Sequence, residues 1–178
     1  MKKLLRIIYF SLILFISLSI SSVYAQSTVT IDVSGITNYD YINEVFKLVN
    51  EERSKEGLKP LVLDKELTES AIFRSAETVL YFDHVRPDGT LCDTVSDRLH
   101  GENIAAGQID PEKVMDSWMN SPGHRANILD DEFESIGIGH FKASNGLNYW
   151  VQTFSYYDYN DPYSNSGISD ETVETINF

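Results

Sequence analysis

The sequence predicts an α+β fold, a three-layer α-β-α sandwich around a central antiparallel sheet. Three observations carry this reading. Helix-period apolar patterns fill the earlier part of the chain. Two β-type segments, joined by Asn145-Gly146, follow them. Both of those segments are apolar or small on both faces, so helices must cover the sheet on each side.

The elements follow in order. Between Tyr39 and Glu56, Ile42, Val45, Phe46 and Val49 fall at i, i+3, i+4, i+7, and Gly57 closes the helix. Asp64 is placed to cap a second helix that runs to about Tyr81, with Leu67, Ala71, Ile72, Ala76 and Val79 on a broad apolar face. Pro87-Asp88-Gly89 is turn chemistry, and residues 90–99 have room for one or two helical turns. Asp110 (N-cap), Pro111 (N1) and Glu112 start a third helix that ends near Asn120. Ser121-Pro122 then restarts the chain as a short helix. "ESIGIGHF" and "NYWVQTFSY" are the strands, the second with Trp150, Gln152 and Phe154 on one face. Residues 26–38 read as a linker or short edge strand, and residues 158–178 as an acidic, flexible tail, leaving 39–157 as one folded domain. The tail's "YYDYNDPY" is a solvated segment or a weak Ca²⁺ binder.

Residues 1–25 read as a secretory signal peptide. Lys2, Lys3 and Arg6 precede an apolar run from Ile7 to Ile20, and Val23-Tyr24-Ala25 forms a cleavage site; an uncleaved anchor is the alternative, against which the short run argues. The predicted location is extracellular, with no stable membrane insertion after cleavage. The net charge is −13, and it becomes three units more negative without the leader. Such a surface repels nucleic acid and anionic membrane. Cys92 is the sole cysteine, so no intrachain disulfide exists; it is a free thiol, a partner for pairing between chains or, on the bland reading, a small buried residue.

Chemistry concentrates on few residues. His124 sits near N3 of the short helix, where the positive end of the dipole favours a neutral ring able to accept a proton or bind a metal. His84 precedes the tight turn. Glu102 lies in an otherwise apolar segment, and a carboxylate there needs a partner: an imidazole, a metal, Arg98 or Arg125. His100 and His140 receive no role. Ser121 is capping chemistry, since no G-x-S-x-G elbow exists, and P-loop, H-E-x-x-H and EF-hand patterns are also missing.

The ordered set "HVRPDG" (84–89), "GENIAAG" (101–107), "WMNSPGHRANIL" (118–129), "IGIG" (136–139) and "YWVQTF" (149–154) resembles the CAP superfamily of cysteine-rich secretory proteins, antigen 5 and pathogenesis-related proteins, in its bacterial branch. The resemblance spans residues 41–156. It implies secretion, the same α-β-α sandwich and a large central cavity lined by two histidines and two acidic residues. His84 and His124 carry over as the histidine pair that holds zinc or another divalent metal in some members, and Glu102 as the Gly-Glu-Asn glutamate. No Glu occurs between His84 and Glu102, so Asp93 or Asp97 is the candidate second acid. Gly123 leaves room beside His124. Trp118, Gly137 and Gly139 either shape the cavity or permit tight helix–sheet packing.

Three functions remain open on these residues. The first is a secreted binding module for an extracellular ligand, lipid-like or from the cell wall, with or without metal. The second is a metal-dependent hydrolase at the His84, His124, Glu102 cluster, with Asp93 or Asp97 as base. The third is a polar cluster that only cross-links the fold.

Overall fold

The computed structural model describes residues 29–178. The expected leader and its cleavage site lie outside the described residues. The elements are β1 (Thr30–Ile36), α1 (Tyr39–Lys55), β2 (Val62–Leu63), α2 (Lys65–Leu80), a 3₁₀ turn (Cys92–Val95), β3 (Gly101–Ala106), α3 (Pro111–Met119), α4 (Pro122–Ile128), β4 (Ser135–Ala143), β5 (Asn148–Ser155) and β6 (Thr172–Asn177). The sheet order is β3-β5-β4-β1-β6, antiparallel throughout, and β2 runs parallel against the start of β4. Among the described residues no helix is long and apolar enough to cross a membrane.

Local chemistry starts α2 and α3 as the sequence predicts. The Asp64 carboxylate accepts the Leu67 N–H at 2.9 Å, and Asp110 accepts that of Lys113 at 2.8 Å. Asn38 caps α1 by accepting from Asp40 and Tyr41. On one face of the sheet α1, α3 and α4 bring Ile42, Val45, Val49, Trp118 and Ile128 against Ile136, Ile138, Trp150 and Phe154. On the other face α2 packs Ala71 against Val151 and Ile104, and Ala76 against a group that includes Phe141 and Tyr149.

Gly137 and Gly139 settle which of their two readings holds. A Cβ at Gly137 would overlap the Leu67 carbonyl, and one at Gly139 the Ala71 carbonyl, so α2 lies on the bare backbone of β4. Trp118 is fully buried, with its indole N–H directed at the Ile104 carbonyl, 3.4 Å away. These residues pack the sandwich. Gly139→Ala is therefore expected to lower unfolding free energy by about 3 kcal/mol, the upper end for overpacking, because the obstacle is backbone. Denaturant unfolding measures this, and a change within 0.5 kcal/mol or so would show that α2 can move off the sheet.

Both ends of the described residues differ from expectation. Residues 30–36 are neither linker nor edge: β1 lies inside the sheet, between β4 and β6. The acidic tail is also ordered. β6 pairs with β1 from Thr30↔Asn177 to Gly35↔Thr172, and Ile176 is fully buried. On the way, Tyr163 donates its N–H to the Leu63 carbonyl at 2.9 Å and Lys65 donates to that of Asp161 at 2.8 Å. Asp161 of the "YYDYNDPY" segment pairs with Arg98 at 3.3 Å. The two strands are too polar to announce themselves singly; the pairing that makes them joins opposite ends of the sequence.

His140, given no role by the sequence, supports the start of α1. It is 2% exposed. Its Nδ1 accepts the Asn38 N–H and its Nε2–H donates to Asn148 Oδ1, both at 3.1 Å, which defines a neutral tautomer. Burial pulls its pKa down to about 4. Between about pH 6.5 and about pH 4 the unfolded chain binds a proton that the folded chain refuses. This ring's contribution is thus intact above the unfolded pKa and lost as pH falls through the folded one, by about 3 kcal/mol at most. Unfolding free energies across that window should fall with acid, and the slope should be shallower in His140→Asn, which keeps an acceptor for the Asn38 N–H.

Candidate functional site

The site forms where edge strand β3 passes between the end of α2 and the start of α4. Alternation along β3 distributes its residues. Glu102 lies opposite Thr153 and shares the face covered by α2. Asn103 lies opposite Gln152 and shares the face of α4.

On the α2 side, Glu102 meets Arg74, a fully buried arginine one helix away. Arg74 Nε donates to Oε2 at 2.8 Å and Nη2 to Oε1 at 3.1 Å. The guanidinium also donates to Glu77 at 2.7 Å and to the Asp83 carbonyl at 2.9 Å. Glu77 in turn receives Arg86 at 2.8 Å. Arg98 and Arg125, the expected structural partners of Glu102, are engaged elsewhere: Arg98 with Asp64, Glu66 and Asp161, Arg125 with Glu56. The sequence places Arg74 on α2 without showing that its charge turns inward.

His84 follows in the loop after α2. Its Nδ1 stands 2.9 Å from Glu102 Oε1, and its side chain is 53% exposed. The "HVRPDGTLC" loop turns back on itself: Arg86 N–H reaches the Thr90 carbonyl at 2.7 Å, Gly89 takes φ +84°, and the Cys92 N–H donates to the His84 carbonyl at 2.9 Å. This return places Cys92 beside the imidazole. One ligand atom each from His84, Cys92 and Glu102 lie within 4.8 Å of one another. Cys92 is half-buried, not the fully buried small residue of the bland reading.

The charges of the site follow from these contacts. The Cys92 sulfur and the Glu102 carboxylate both favour the imidazolium of His84 and raise its pKa to about 10. Burial pushes Glu102 upward, but hydrogen bonds from His84 and Arg74 outweigh it and hold the carboxyl below its ordinary value. His124 is lowered, as expected, though the causes are burial and then the charge of His84. The histidines therefore favour opposite protonation states.

His124 does occupy the third position of α4, with Ser121 in extended N-cap geometry, but the Ser121 hydroxyl makes no capping bond. The segment is held from β3 instead. Asn103 Nδ2 donates to the His124 carbonyl at 3.1 Å, and Asn127 Nδ2 donates to Asn103 Oδ1 at 2.9 Å. Asn103 is the fully buried positioning residue the sequence reading missed; an amide beside Glu102 in an otherwise apolar segment was its only signal.

The acids divide. Asp93 lines the hollow beside His84, Asp97 does not, and neither hydrogen-bonds to His84 or Glu102. No second carboxylate joins the cluster, which gains the Cys92 thiol instead. His100, set aside in the sequence, also lines the hollow and is steadied by Ser155 Oγ at 3.1 Å and the Tyr156 ring. The hollow is open and about 310 Å³, not a large central cavity, and His124 stands outside its lining. A larger one of about 660 Å³ lies between α2 and residues 162–165, with no histidine or cysteine in its walls.

A helix–sheet–helix sandwich with this imidazole–glutamate pair on its edge strand defines a class. The chain belongs to the Cysteine-rich secretory protein family (CAP), whose sequence profile matches residues 46–154. It is 40% identical over 136 residues to the uncharacterized protein YkwD of Bacillus subtilis (strain 168), covering 72% of this chain and 51% of YkwD. To the uncharacterized membrane protein YlbC of the same organism it is 32% identical over 104 residues, covering 54% and 30%. The chain thus spans about half the length of the first of these relatives and less of the second. Its fold is similar to that of an extracellular protein containing a SCP domain from Bacillus anthracis str. Ames, at TM-score 0.60 and 28% identity, covering 66% of this chain and 41% of that one.

Proposed function

We propose that the chain is an extracellular binding module that takes a divalent metal between His84, which lines the hollow beside β3, and His124, at the start of α4 beyond that lining. One observation carries the reading. Glu102, itself clamped by Arg74, holds Nδ1 of His84 and leaves the other ring nitrogen directed by a fixed carboxylate. That is the arrangement in which a carboxylate orients a metal-binding imidazole. Such an ion would offer an extracellular ligand, from the cell wall or lipid-like, a Lewis-acidic anchor point. The Bacillus anthracis relative is described as extracellular, which supports the location.

The hydrolase reading has less support. Glu102 is engaged by Arg74 and His84 and is held ionised by them, so it is a weak base. Asp93 alone among the acids lines the hollow without a partner in the cluster.

Calorimetry with zinc at about pH 7.5, where the ion must displace the His84 proton, tests the proposal. One-to-one binding in the wild type and its loss in His84→Ala/His124→Ala is the expected result. Absence of binding in the wild type overturns the metal reading, and unchanged binding in the double variant overturns the assignment to these histidines.

A further inference from the structure

We propose that Cys92 is a metal ligand, so that the hollow selects a thiophilic divalent ion over a hard one. The inference rests on the reading that His84 and its surroundings hold a cation. Three observations on this chain carry it.

The first is placement. Donor atoms of His84, Cys92 and Glu102 come within 4.8 Å of one another, whereas ligands around a tetrahedral zinc stand roughly 3.5 Å apart, given bonds of about 2.0–2.3 Å. Modest side-chain movement closes that gap. The second is the state of Glu102. Arg74 occupies both of its oxygens and His84 shares one, so the carboxylate acts as the orienting partner and not as the ion's main anionic ligand. The third is the backbone. The Cys92 N–H bond to the His84 carbonyl fixes the two residues relative to each other, and Cys92 stays half-buried with its side chain facing the hollow that His84 lines.

Together these leave imidazole nitrogen and sulfur as the available donors in the hollow, with water to complete the shell. Sulfur favours zinc, cadmium or cobalt and is a poor ligand for magnesium, calcium or manganese. On binding, the thiol proton of Cys92 and the second ring proton of the His84 imidazolium leave to solvent as their bonds to the metal form, so no oxidant or reductant is needed.

Cobalt(II) titration of the purified, reduced protein reads the ligand directly. Cys92 is the sole cysteine in the chain, so any sulfur-to-cobalt charge-transfer band in the near ultraviolet belongs to it. The expected result is that band together with visible ligand-field bands, both saturating at one equivalent. Cys92→Ser should abolish the ultraviolet band and keep the visible ones, with weakened affinity. Excess magnesium should not displace the cobalt, and zinc should. Visible bands without a charge-transfer band in the wild type overturn the thiolate proposal and leave the histidine site standing. No cobalt binding overturns both. A charge-transfer band that survives in His84→Ala/His124→Ala shows a stray surface thiol and overturns the assignment to this hollow.

Discussion

Arg74→Met is expected to be the most damaging single side-chain exchange near the site, costing about 3–5 kcal/mol, the range for breaking a buried ion pair from one side. Arg74 is 0% exposed, and its guanidinium answers Glu102, Glu77 and the Asp83 carbonyl together. Removing it does not orphan both acids equally. Glu77 keeps Arg86 at 2.8 Å, whereas Glu102 keeps only His84. Most of the loss should therefore come from an uncompensated Glu102, and Arg74→Met/Glu102→Gln should recover part of it, a coupling that a double-mutant cycle reads. Arg74→Lys should not rescue, because an ammonium cannot present the planar fork that reaches two carboxylates and a carbonyl at once. Denaturant unfolding of the wild type, Arg74→Met, Glu102→Gln, the double variant and Arg74→Lys is the measurement. A loss below about 1 kcal/mol for Arg74→Met would match an exposed pair and would remove the buried network as the foundation of the site.

The same arginine shows what was legible in the sequence. Helices capped by Asp64 and Asp110, the Asn145-Gly146 hairpin and the covered β4–β5 pair all follow from local signals: a capping side chain, a turn dipeptide, a two-residue period. His84, Glu102 and His124 came forward because a charged or imidazole side chain in an apolar or turn setting needs a reason. The buried face of α2 was harder. Arg74, Glu77 and Thr78 are polar in sequence yet nearly inaccessible, and hydrophobic periodicity counts them as surface. Their burial is decided by charges on β3 and the His84 loop, which no window along α2 contains. The same limit hid β1 and β6, whose reason to exist is each other. Cys92 was misjudged for a related cause: its neighbour is set by how the "HVRPDGTLC" loop closes, and composition is silent on that.

Arg53→Met is expected to cost about 3 kcal/mol or more, by a different mechanism. Arg53 lies at the end of α1, 1% exposed, and donates to backbone carbonyls alone: Lys59 at 2.8 Å, Ile128 at 2.9 Å, Asp130 at 2.7 Å and Phe133 at 3.5 Å. Burial lowers its pKa, with Asp130 and Asp131 acting in the opposite sense. Methionine fills similar volume but leaves those carbonyls without donors, and each buried orphan costs about 1–3 kcal/mol before relaxation or entering water reduces it. Ile128 ends α4, so the charge of Arg53 also answers the negative end of that helix. The consequence should be local as well as global. Asn103 holds α4 at its start and Arg53 at its end. Without Arg53, amide hydrogens of residues 122–130 should exchange faster than the loss of global stability accounts for, while those of α2 should follow the global change alone. Arg74→Met should give the reverse pattern, disturbing the His84 side and sparing α4. If Arg53→Met accelerates exchange evenly across the molecule, then α4 is not separately tethered, and His124 owes its position to Asn103.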